Sequence, residues 1–121
     1  MYSATIKEMS IGVSKKDAIK AKDFTNAISL DEVATPDGKF VIKPVSYVVV
    51  GVHNDGADRP DYDKFVIFDD AGNKYVTGSE SFFSSFEDIV ADMGDEEFEI
   101  EIYKVESKNY KGKHFLTCSL A

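Results

Sequence analysis

The residues of this chain best suited to chemistry lie between Ile102 and Leu120, where Tyr103, Tyr110 and Phe115 are interleaved with Lys104, Lys108, Lys111, Lys113 and His114. Flat rings beside a track of ammonium groups suit a flexible polyanion, because unstacked bases lie on the π-faces while the cations follow the phosphates. A plainer reading is an ordinary hairpin with solvated lysines and half-buried tyrosines, and the local pattern leaves both open. Tyr47 and Tyr75 fall on strands expected to neighbour this hairpin. Each is either a further stacking ring or a rim aromatic with its hydroxyl in water.

The charge of the chain is unevenly spread, and this matters more than its total of −8. Between Asn54 and Tyr103, fifteen acids stand against Arg59, Lys64 and Lys74, a net of −12 that leaves +4 for the remaining residues. An acidic protein repels phosphates, yet a local basic stripe still binds them because exposed charges are screened over about 8 Å at physiological salt. The acidic block supports a rival function: carboxylates that mimic DNA phosphates and inhibit a nucleic-acid enzyme, or a protein-interaction module. Lys15, Lys16, Lys20 and Lys22 form a second basic segment, which either extends a binding groove or serves solubility.

Signatures of other chemistry are missing from the sequence. There is no GxxxxGK[ST] loop, HExxH or CxxC, and His53 and His114 are far apart, so neither a metal site nor a cofactor is expected. Asp55, Asp58, Asp61 and Asp63 resemble the start of a calcium loop, but Arg59-Pro60 breaks the spacing and the closing glutamate is absent. The expectation is a binding protein, not an enzyme. Cys118 alternates with Leu116 and Leu120, which predicts a buried, inert thiol in a reducing cytoplasm. No apolar run approaches the roughly twenty residues that cross a bilayer, and Met1-Tyr2-Ser3-Ala4 lacks the basic flank of a signal peptide. A soluble intracellular protein with no membrane partner is expected.

The elements that would position these residues form one domain over residues 1–121, with 43% apolar residues to close a core. Residues 2–13 predict an opening strand with a bulge near 7–10. Residues 14–24 predict either a short capped helix or an irregular basic segment, and 28–33 a helical turn. Thr35-Pro36-Asp37-Gly38 predicts a tight turn, and 40–53 a long strand with a β-branched run at Val48-Val49-Val50. After a polar loop at 54–61, residues 62–68 and 73–77 read as a hairpin closed by Asp69-Asp70-Ala71-Gly72. Ser79 caps a helix over about 79–93, whose Phe82, Phe83, Phe86, Ile89, Val90 and Met93 recur at helical spacing before Gly94. In residues 97–102 strict alternation turns Phe98, Ile100 and Ile102 inward. The order predicts a mainly β fold: an OB-type five-stranded barrel with one capping helix, its three phenylalanines plugging the barrel.

The turn at Thr35-Pro36-Asp37-Gly38, the long strand, the acidic hairpin, the helix, and above all the ending Phe98-x-Ile100-x-Ile102 … Ser107-Lys108-x-Tyr110-Lys111-Gly112-Lys113-x-Phe115-x-Thr117-x-Ser119-Leu120 carry a resemblance. Over roughly its last two-thirds the chain resembles the small single-stranded DNA-binding proteins of tailed bacteriophages of Gram-positive hosts. The resemblance implies an OB-fold replication factor that coats and protects displaced single strands during phage DNA replication or recombination. Its partners would be single-stranded DNA and phage replication or recombination proteins, in the cytoplasm of the infected bacterial host. Strand-coating proteins often dimerise or cooperate along the lattice, so a homodimer is an open expectation. Bacterial relatives carry an acidic C-terminal tail, whereas this sequence stops at Ser119-Leu120-Ala121, which argues against tail-mediated recruitment.

Overall fold

The computed structural model describes residues 2–10, 13–34, 38–56, 58, 60–108 and 112–121. The turn expected at Thr35-Pro36-Asp37 lies outside the described residues. In chain order the elements are β1 (Tyr2–Met9), α1 (Lys15–Ala21), β2 (Ile28–Ser29), α2 (Leu30–Val33), β3 (Phe40–Ile42), β4 (Pro44–Asn54), β5 (Asp61–Asp69), β6 (Lys74–Thr77), α3 (Glu80–Met93), β7 (Ile100–Glu106) and β8 (His114–Leu120). The fold is mainly β. One sheet has the strand order β1-β4-β5-β6-β2 and the other β3-β7-β8.

This corrects the expectation of a five-stranded barrel with a single helix. Two sheets and three helices are present, and among the described residues no strand pair closes the sheets into a barrel. The reason lies at Lys43 and Pro44. The run that reads as one strand in sequence is divided there, and the ladder with β5 shifts register between Pro44 and Ser46. Proline has no N–H to give to a ladder, so it suits such an irregularity. Before the break, Phe40, Val41 and Ile42 pair with β7; after it, β4 pairs with both β1 and β5. The second sheet is joined to the first through this divided strand and through α3, whose Ser81 hydroxyl donates to the Leu116 carbonyl of β8 at 3.0 Å.

Helix α3 forms as its sequence predicts. The Ser79 hydroxyl accepts from the Phe82 amide, and Gly94 ends the helix at φ +61°, where a side chain would be strained. Phe82, Phe83 and Phe86 are buried in the main core with Val49, Phe65, Ile67, Ile100, Ile102, Leu116 and Cys118. A second core lies on the other face of the first sheet, where Val48, Val50, Val52 and Val66 meet Ala21 of α1. The β-branched run in β4 is therefore buried on both faces, as in sheets covered on two sides. The open reading of residues 14–24 resolves in favour of the helix: Ser14 caps it, Asp17 lies in its first turn, and Ala18 and Ala21 face inward. In β1 the register shifts between Ile6 and Glu8, within the segment where a bulge is expected.

The β5–β6 hairpin turns at Gly72, φ +85°, and is held by Asp69, only 7% exposed. Its carboxylate accepts from the Ala71 amide (3.1 Å), the Asn73 amide (2.8 Å), the Asn73 side chain (3.0 Å) and the Tyr75 hydroxyl (2.8 Å). Burial works to raise the Asp69 pKa, but the hydrogen bonds from Asn73, Tyr75 and Ala71 outweigh it and hold the group below its usual value. A carboxyl depressed on folding stabilises above its unfolded pKa, and that stability is lost as pH falls through the lowered folded value. Asp69→Asn is expected to cost about 2–3 kcal/mol at pH 7, the usual scale for charge-assisted bonds, and to shrink this loss below about pH 4. Urea denaturation of both proteins across that pH range measures it.

Candidate nucleic-acid interface

The β7–β8 ladder decides which of the predicted site residues meet. Glu101 lies opposite Ser119, Tyr103 opposite Thr117, and Val105 opposite Phe115; Ile102 and Lys104 alternate with them, opposite Cys118 and Leu116. Successive side chains of a strand point to opposite faces, and the burial of Ile100, Ile102, Leu116 and Cys118 fixes the inward one. Tyr103, Val105 and Phe115 thus share the outward face, with Phe115 43% exposed. Tyr103 and Phe115 are diagonal neighbours, a placement in which long side chains reach one another. The Tyr103 hydroxyl is tied to the Ser119 hydroxyl at 2.6 Å, which fixes the direction of its ring.

Lys39, which no sequence signal singles out, completes this face. Its Nζ lies 5.4 Å from the centroid of the Tyr103 ring and 3.0 Å from Glu101 Oε2. The hydrogen bond and charge of Glu101 raise the lysine pKa and keep it protonated. Only the β3–β7 pairing, with Val41 opposite Glu101, brings this lysine to the hairpin. At the far end of the strands Lys108 and Lys113 are exposed, where the Ser107 amide donates to the Lys113 carbonyl at 2.8 Å and Gly112 takes φ +82°. Tyr110 and Lys111 lie outside the described residues.

Comparison with protein-family models, curated proteins and solved structures finds no match.

Three of the sequence-predicted residues are not on this face. Lys104 points the opposite way, and its Nζ donates to the Asp31 carbonyl at 2.6 Å. The alternation of a strand already carries that signal, since neighbours such as Tyr103 and Lys104 must diverge. Tyr75 is 3% exposed, edge-on to Phe40 and bonded to Asp69; burial, then that bond, pushes its pKa up to about 12. It is a core residue and offers no ring to a base. Tyr47 is half-buried on the first sheet, edge-on to Phe83 at 5.7 Å and Phe86 at 5.6 Å. Burial first, then the carboxylate of Glu8, raises its pKa. The lysines of α1 lie behind the first sheet, with that sheet and the main core between them and the hairpin face, so they do not extend it.

Asp55, Asp61 and Asp63 have partners of their own. His53 lies between Asp61 (2.6 Å) and Asp55 (2.5 Å), whose hydrogen bonds raise the imidazole pKa, and Asp63 pairs with Lys7 at 3.0 Å. Among the described residues no cluster of three or more ligand-type side chains is placed to hold a metal ion. Cys118 is 5% exposed, and burial pushes its thiol pKa up to about 12. The thiolate being the reactive form, Cys118 should ignore a disulfide reagent at pH 8 in the native protein and react once urea unfolds it.

Proposed function

We propose that the chain binds single-stranded DNA, with little regard to sequence, on the outward face of the β3-β7-β8 sheet. The observation that carries this reading is Tyr103 and Phe115 on one open sheet face with a lysine ammonium 5.4 Å from the tyrosine ring. Rings of this kind accept any base, and Lys39, Lys108 and Lys113 follow the backbone. The element order adds support. A divided strand shared by two sheets, a hairpin, a helix and a last hairpin follow in the order that an opened OB-type fold would have, with β1, α1, β2 and α2 ahead of them. Together with the resemblance to phage proteins, this points to a coat for displaced strands in replication or recombination inside an infected bacterium, a role that needs no catalysis.

The acidic mimic is the second reading. Six of the fifteen acids in the central block are engaged within the fold: Asp55 and Asp61 with His53, Asp63 with Lys7, Asp69 in its turn, Glu97 with Lys43 and Glu101 with Lys39. Of the nine others, seven lie on α3 or between it and β7, which is the surface such a mimic would use.

Fluorescence anisotropy with labelled dT30 over a salt series, with duplex of equal length as competitor, tests the proposal. Binding should weaken with a log–log slope of about −0.7 per phosphate, hence at least about −2 for Lys39, Lys108 and Lys113. Duplex should fail to displace the strand. Absence of binding at low salt would overturn the reading and favour the acidic surface with a protein partner.

A further inference from the structure

Away from the hairpin face, an apolar groove of about 460 Å³ runs between the end of β1, the start of β4 and the end of α3. Met9, Pro44, Val45, Tyr47, Val90 and Phe98 line it, and Met9 is 48% and Val45 61% exposed. Carboxylates surround it. Asp95 and Glu96 belong to its lining, Glu8 and Glu87 lie close enough to Tyr47 to raise its pKa, and the one lysine among the described lining residues, Lys43, is held by Glu97 at 2.9 Å. An apolar floor among carboxylates calls for an apolar side chain set among cations.

The same chain displays such a surface on α1. Ala18 and Ala21 face inward, so the opposite side of the helix points away from the molecule. There Ile19 is 58% exposed, with Lys15, Lys16 and Lys22 four before, three before and three after it, the spacings that are neighbours on a helix, and Lys20 adjacent. We propose that α1 of one copy docks in this groove of the next, with Ile19 on the apolar floor and the lysines against Asp95, Glu96, Glu8 and Glu87. The two surfaces are different patches of one molecule, so a single contact leaves a helix free on one copy and a groove free on the other, and further copies can add head-to-tail into chains or rings. Its charges are exposed, so salt weakens it.

Sedimentation velocity of the full chain over a concentration series tests this without any nucleic acid. At low salt the wild type should grow past the dimer with concentration, and at high salt return to monomer. Lys16→Glu with Lys20→Glu, or Asp95→Lys with Glu96→Lys, should each weaken association at least about tenfold while circular dichroism stays unchanged. Mixing the two variants should restore it, because the reversed helix of one then meets the reversed groove of the other. A wild type that stays monomeric at low salt overturns the proposal. So does a discrete dimer that survives both pairs of substitutions, or a mixture that remains monomeric.

Discussion

Phe83→Ala is expected to remove about 3–5 kcal/mol of stability, the range for truncating a large buried aromatic. Phe83 is 5% exposed and sits where three rings meet: stacked on Phe65 at 4.2 Å, edge-on to Tyr47 at 5.7 Å and beside Phe86 at 6.0 Å. It belongs to α3, while Phe65 and Tyr47 belong to the first sheet, so its ring helps fasten helix to sheet. The cavity left behind is bounded by stiff aromatic neighbours that collapse poorly, which puts the loss toward the upper part of the range. A domain of this size commonly has only about 5–15 kcal/mol in total, so the variant should unfold at much lower urea. A loss near 1 kcal/mol would show that other contacts carry the joint.

The other large effect concerns binding. Replacing both Tyr103 and Phe115 by alanine should weaken the complex with dT30 by about 2–6 kcal/mol, roughly thirtyfold or more, at unchanged salt slope. On the proposed face the rings would stack and carry no charge, so their loss should lower affinity without altering the number of phosphates neutralised. Lysine substitutions should behave the other way. Lys113→Gln should reduce the slope by about 0.7, whereas Lys104→Gln should leave it unchanged, because Lys104 faces Asp31 on the inner side. Equal slopes for both lysine variants would remove the outward face as the binding surface.

Much of the fold can be read from local pattern, and the failures share a cause. Helix α3 shows its cap, its apolar spacing and its terminal glycine within one short segment, and the alternation before Ile102 shows which side of β7 is inward. The division of the long strand is local at Pro44, but which sheet each half joins depends on β7 and β1, distant in sequence. Tyr75 misleads because β6 is covered on both sides. Tyr75 and Thr77 are buried on one face and Lys74 and Val76 partly buried on the other, so alternation there does not tell core from surface. Lys39 is invisible for the opposite reason: nothing about it is unusual until β3 pairs with β7. Tyr103 and Phe115 were legible as rings of one hairpin, and the ammonium beside them was not.

The strand shared by the two sheets also sets an order among the strand pairings. β4, β5 and β6 follow one another, so their meander closes short loops, whereas β3 meets β7 only when Phe40 finds Ile102 across the whole intervening chain. The longer closure carries the greater entropy cost before any contact rewards it. The β3–β7 pairing is therefore later to assemble than the local β7–β8 hairpin and earlier to open, and the amide hydrogens of β3 should exchange ahead of those in β4 and β5. The proposed surface then joins a firm hairpin, bearing the two rings, to a looser strand that brings the Lys39 ammonium beside them.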